Sequence, residues 1–220
     1  MTPAIWLALA EIGASLPESV RVVIVRAEGP SFCAGIDLKV LAEASTSGTS
    51  QPLDEEQIAG YQAGYLWLAD PAIVSIAAVQ GHAIGAGFQL ALACDVRIVA
   101  DDAKFCMKEP ALGLVPDLTG TKPLVDIVGL PRAIELCLTA RTVTAAEALL
   151  LRLAELVVPA AELDAAVADL VAALLATDAA AARATKALLQ QASGRSLAEQ
   201  AAAERRVQAE LIRNRGRRSP

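Results

Sequence analysis

The sequence predicts an α/β core followed by a mainly helical C-terminal region. Three observations lead there: short β-branched runs such as VRVVIVR at 20–26, a recurring order of strand, turn and helix up to about residue 107, and alanine-rich stretches from Thr144 onward. With 220 residues and 55% apolar content, the chain is long enough to bury one substantial core. The change of character divides it into an α/β core over 1–143 and a mainly helical assembly region over 144–220.

Met1 to Leu16 reads as a helix, with Ile5, Leu9 and Ile12 at helical spacing, Thr2 at the N-cap and Pro3 at the first helical position. Val20 to Arg26 is short and β-branched, hence a strand. FCAGIDLK follows as a small-residue turn leading toward a short helix, and STSGTSQ at 45–51 has the polarity of a surface loop. Glu55 to Ala69 reads as a helix ended by Asp70 and Pro71, Ile73 to Gln80 as a buried strand, GHAIGAG as a turn, and Phe88 to Cys94 as a short helix. Val96 to Ala100 and Lys104 to Met107 are two further strands. Helices are expected at 144–151, 160–176, 178–192 and 196–213, with a strand at Glu155 to Val158.

Composition excludes several functions. A net charge of −6 argues against a general nucleic-acid surface, and the arginines at 205, 206, 213, 215, 217 and 218 read as a solvated helix face and tail. Cys33, Cys94, Cys106 and Cys137 are scattered without a C-x-x-C pair, as in a reduced cytoplasmic protein. One histidine is too few for most histidine-based zinc sites, and nothing suggests a metal or redox cofactor. Met1 to Ala10 is apolar without the positive flank of a signal peptide. The uncharged run from Pro71 to Cys94 is interrupted by Gly81, Gly85 and Gly87 and carries Gln80, His82 and Gln89, so a buried strand, turn and helix explain it better than a membrane span.

Chemistry is concentrated in two small-residue turns, CAGIDLK at 33–39 and GHAIGAGFQ at 81–89. Small side chains let a ligand approach the backbone, and the helix after the second turn would aim its N-terminal amides and dipole at developing negative charge. Two such turns converging would make an oxyanion hole. At 104–117, KFCMKEPALGLVPD embeds Glu109 among apolar residues with Asp117 eight positions later. Either carboxyl can be a cap or ion-pair partner, or a general acid/base raised by desolvation. For Asp117, the first option is the N-cap of a helix beginning at Leu118.

On FCAGIDLK, AAVQGHAIGAG with CDVRIVA after it, and KEPALGLVPD, the chain resembles the enoyl-CoA hydratase/isomerase, or crotonase, family over nearly its whole length. The resemblance implies a crotonase-like spiral of ββα units, a helical region assembling homotrimers or homohexamers, and an acyl-CoA thioester substrate with no separate cofactor. It implies that the Ile36 and Ala86 N–H groups form the oxyanion hole. Ala34, Gly35, Asp37, Leu38, Lys39, Gly85 and Gln89 would line the substrate site. Family members usually open with a strand pair ahead of the first helix, whereas this sequence opens on the helix, which would leave a sheet edge unpaired. Ala86 and Arg152 stand where glycine is common in the family.

Hydratases of this family commonly use two glutamates. Glu109 matches one, but the other position holds Gln89, an amide that can orient water and cannot take its proton. Isomerisation needs only one carboxylate, so the expected reaction is proton transfer on an enoyl-CoA with Glu109 and Asp117 sharing the acid/base work. The alternatives are a non-catalytic acyl-CoA-binding paralogue, and a thiol hydrolase built on Cys33 and His82.

Overall fold

A computed structural model describes residues 1–37, 39 and 54–216. Leu38, the 45–51 loop, Arg217 and Arg218 lie outside the described residues.

Helix α1 spans Pro3–Ala14, with Thr2 extended ahead of it and Pro3 in its first turn. Its buried Trp6 meets Tyr61 of helix α2 (Glu55–Leu66) at 4.9 Å between ring centroids. A capping box starts α2: the Asp54 carboxylate accepts from the Gln57 N–H at 2.8 Å and the Gln57 side chain accepts from the Asp54 N–H at 3.1 Å.

The main sheet is parallel, in the order β1 (Val22–Val25), β2 (Val74–Val79), β4 (Val96–Ala100), β7 (Leu156–Val158). A smaller sheet holds β3 (His82–Ile84), β5 (Lys104–Cys106) and β6 (Val143–Thr144), with β3 and β5 parallel and β6 antiparallel. Cys33 joins the small sheet by a parallel bridge to Ala83. Thus β1, β2 and β4 each hand the chain to a second-sheet partner: Cys33, β3 and β5. Helix α3 (Ala86–Ala93) follows β3, and α4 (Thr121–Val128) follows β5 after a long turn. This is the expected spiral of ββα units.

Side-chain alternation on the buried strands gives two packing faces. Ala77, Val79 and Val99 join the main core with Phe88 and Phe105, while Ile76, Ala78, Ile98 and Ala100 pack against Leu163 and Val167 of α7 (Leu163–Leu175). Both faces of the parallel sheet are therefore covered. On β1, the outer edge carries no strand among the described residues.

The structure corrects the sequence reading in two places. GHAIGAG is more than a turn, because His82–Ile84 forms β3. Helices α4 and α5 (Leu130–Thr139) are masked in the sequence by Gly120, Pro123, Gly129 and Pro131; Pro131 sits in the first turn of α5, where no N–H is needed. Beyond residue 144, β7 extends the main sheet and α7 packs on it. Helices α6 (Ala145–Leu150), α8 (Ala179–Ala192) and α9 (Leu197–Gly216) complete the chain close to the expected limits.

Two cations, the buried Arg97 and the half-buried Lys186, fasten this arrangement. Arg97, 4% exposed, donates to the Leu153 carbonyl at 3.0 Å, the Cys94 carbonyl at 2.8 Å and Glu155 at 2.6 Å, joining the end of α3 to the entrance of β7. Lys186 of α8 reaches Asp95 at 2.6 Å and the carbonyls of Asp70 and Ile73 at 2.8 Å each. Pro71 to Cys94 is resolved into β2, β3 and α3, and among the described residues no single helix is long and apolar enough to cross a membrane.

Arg97→Ala should cost roughly 2–4 kcal/mol in urea unfolding, because buried carbonyls lose their donors; the ion pair itself adds little, since Glu155 is partly exposed. Arg152 has φ +62°, a left-handed conformation that favours glycine. Arg152→Gly should stabilise by about 1 kcal/mol, read as a rise of roughly 2–4 °C in Tm; an unchanged or lower Tm would refute the strain.

Candidate active site

The two turns are joined by backbone. Phe32 N–H donates to the Gln80 carbonyl and Cys33 N–H to that of His82, both at 2.8 Å, and the Ile84 N–H donates to the Cys33 carbonyl at 2.9 Å. Gly87 sits under Cys33 so closely that a Cβ there would lie 2.3 Å from the Cys33 carbonyl oxygen. The segment carrying Ile36 is thereby laid beside the one carrying Ala86.

Gly85 turns the chain into α3. Its φ of 52° with ψ of −117° suits glycine alone, and its N–H is held by the Cys106 carbonyl at 2.8 Å. Ala86 is the first residue of α3, so its N–H has no acceptor within the helix. Among the described residues, neither the Ile36 nor the Ala86 N–H has a hydrogen-bond partner. Ala86 is buried, and its carbonyl accepts from the Tyr65 hydroxyl at 3.2 Å. Sequence reasoning missed Tyr65; the available signal was a tyrosine on the core face of α2, whose hydroxyl needs a partner.

Glu109 opens a 3₁₀ turn (Glu109–Leu112) directly after β5 and is 8% exposed. Its carboxylate lies against Gly85, where a Cβ would meet Oε1 at 3.0 Å. Oε1 accepts from Gln89 Nε2 at 2.7 Å, while Oε2 is buried without a partner among the described residues. Burial pushes the carboxyl above its ordinary value, hydrogen bonds including that from Gln89 oppose the rise, and the charge of Asp117 adds to it. Asp117 is half-buried and is itself raised by desolvation. It does not cap a helix at Leu118, because α4 begins at Thr121 behind Gly120; its carbonyl accepts from Gln62 Nε2 at 2.7 Å.

Gln89 is wholly buried. Its Oε1 accepts from the N–H groups of Leu118 at 2.8 Å and Gly120 at 3.2 Å, so this oxygen faces protein and is not available to orient water as the sequence reading expected. In the first turn Gly35 is buried, Ile36 half-buried, and Ala34, Asp37 and Lys39 exposed. The Asp37 carboxylate accepts from the Lys39 N–H at 2.9 Å, shaping its own turn. Leu38 cannot be placed, since it lies outside the described residues. Cys33 and His82 do not form a thiol–imidazole couple: the ring pairs with Ser31 Oγ at 3.1 Å, and burial raises the thiol.

The sequence profile of the enoyl-CoA hydratase/isomerase family matches residues 8–219. The chain belongs to this family. A candidate enoyl-CoA hydratase from Thermobifida fusca YX, solved in complex with CoA, is similar at 58% identity and TM-score 0.93, covering 99% of this chain and 86% of that one. This family member is also 43% identical over 148 residues to a carnitinyl-CoA dehydratase of Proteus mirabilis (strain HI4320), covering 66% of this chain and 54% of the relative. It is 40% identical over 136 residues to a peroxisomal Δ(3,5)-Δ(2,4)-dienoyl-CoA isomerase of Arabidopsis thaliana, covering 59% and 49%. The chain spans about half the length of the curated relatives it matches. Both lyase and isomerase names occur at similar identity, so family membership does not choose the reaction. The fold is the crotonase-like spiral with a C-terminal helical region.

A pH dependence follows from the two raised carboxyls. Between an ordinary glutamate value near 4.5 and the raised folded value, the folded state holds more protons than the unfolded one. Glu109 therefore lowers stability progressively as pH rises through its folded pKa. Urea midpoints of the wild type and Glu109→Gln, measured across pH, should diverge in that direction above about pH 4.5; parallel curves would mean that the carboxyl is not raised.

Proposed function

We propose that this chain moves the double bond of an enoyl-CoA thioester, with Glu109 as the proton carrier and Asp117 assisting. The thioester oxygen would sit on the N–H groups of Ile36 and Ala86. Glu109 Oε2 would take a proton from the α carbon of a 3-enoyl-CoA, and the electron pair would move into a dienolate held by those two donors. The same carboxyl would return the proton at the γ carbon, giving the 2-enoyl-CoA with no net gain or loss of atoms. Coenzyme A belongs to the substrate and no other cofactor is needed.

The observation that carries this reading is the state of residue 89. Two-carboxylate hydration needs a second base to take a proton from water, and that position holds an amide bonded to Glu109 and to the 118–120 turn. One buried carboxyl beside a backbone donor pair suffices for proton relocation. The CoA complex of the Thermobifida fusca protein and the isomerase relative support the substrate class and reaction type. Assembly as a homotrimer or homohexamer is part of the proposal, supported by exposed apolar residues on the C-terminal helices such as Leu189, Leu197 and Ile212.

The test supplies 2-enoyl-CoA and 3-enoyl-CoA separately and follows product mass. Interconversion without mass change is expected, and Glu109→Gln should lower kcat/KM by about 10²–10⁴. Addition of water to the 2-enoyl substrate as the main reaction would refute isomerisation. Binding without turnover would indicate a non-catalytic acyl-CoA-binding protein.

A further inference from the structure

We infer that Gln89 is a positioning residue, whose side-chain amide selects the reacting oxygen of Glu109 and couples that carboxylate to the turn carrying Asp117. The inference rests on the reading of Glu109 as the acid/base. It extends that reading to a residue that touches neither substrate nor reacting atoms.

The geometry is that of a clamp. The Gln89 Nε2 donates to Glu109 Oε1 at 2.7 Å, and the same oxygen is hemmed in by Gly85. Oε1 is thereby held and Oε2 is left as the oxygen with no partner. At its other end the amide accepts from Leu118 and Gly120, which flank Thr119 at φ +69°. A non-glycine residue in that conformation persists only where its surroundings fix it, and the two bonds to Gln89 fix both sides. Gly120 in turn closes over the glutamine, since a Cβ there would lie 2.5 Å from Gln89 Cγ. One wholly buried side chain therefore sets the orientation of Glu109 and the path of the chain just after Asp117.

An amide satisfies both ends without drawing on a shared proton. Glutamate at 89 could still accept from the two N–H groups, but its second oxygen would face Glu109 Oε1 where a donor is now 2.7 Å away. Two carboxyls so placed must share a proton. Leucine at 89 would satisfy neither end. The other ionisable groups facing Glu109 are Asp117 from the turn, Tyr65 from α2, Cys106 from β5 and Cys137 from α5. The phenol and thiols are raised by burial and stay neutral where carboxyls titrate, which leaves Asp117, among the described residues, as the charge that raises Glu109 there.

The experiment titrates ¹³C-carboxyl glutamate resonances of the full chain, with Glu109 assigned by its disappearance in Glu109→Gln. Gln89→Glu should remain folded, with Glu109 titrating at least about one pH unit higher than in the wild type. Its kcat on 3-enoyl-CoA should fall at least about tenfold, with little change in KM and an acid limb moved to higher pH. Gln89→Leu should move the titration in the same direction and lower Tm. A Glu109 titration unmoved in both variants overturns the inference, as does an unchanged kcat where the titration has moved. The titration needs no substrate, so the two ideas fail separately: full activity of Glu109→Gln refutes the acid/base reading, whereas an unmoved titration refutes the clamp.

Discussion

The site depends on a short parallel ladder between Cys33 and the His82–Ile84 strand. Two backbone hydrogen bonds, at 2.8 and 2.9 Å, lay a turn from the first ββα unit against a turn from the second. Without them, Ile36 and Ala86 would belong to separate surfaces. With them, the residues whose amides the account uses lie on adjoining backbone, and the ladder requires glycine at Gly87 because Cys33 occupies the space a side chain would need.

Around that ladder the fold supplies rigidity from below. Burial of β2 and β4 on both faces leaves α3 little freedom, and Arg97 pins its C-terminal end while Gly85 sets its start. Glu109 then arrives from β5, the strand hydrogen-bonded to β3, so its carboxyl is placed by the same small sheet that places Ala86. The clamp through Gln89 links these parts, since it joins α3, the Glu109 turn and the approach to α4. Desolvation of Glu109 follows from the placement.

Local chemistry was legible in the sequence, and partnership across the chain was not. VRVVIVR, the 73–80 run and the alanine-rich helices state their conformation by side-chain type and period. The two glycine turns and Glu109 also stood out, because glycine next to a strand and a carboxyl amid apolar residues are uncommon choices. Strand β3 was hidden inside a glycine-bounded segment whose three residues have no period to display. The helices over 121–139 were hidden by prolines that lie in or near their first turns, where they do no harm. The bonds of Gln89 reach 20 to 31 residues along the chain, so an amide that read as substrate-facing is in fact enclosed. The positive φ of Arg152 is a backbone property that a side chain does not announce.

A crystal structure with a slow 3-enoyl-CoA analogue tests the central claim most directly, because it locates the thioester oxygen. The account requires that oxygen about 2.7–3.1 Å from both the Ile36 and Ala86 nitrogens, with Glu109 Oε2 turned toward the α and γ carbons. A thioester oxygen touching only one of those nitrogens, or lying on the far side of α3 from Glu109, would contradict it.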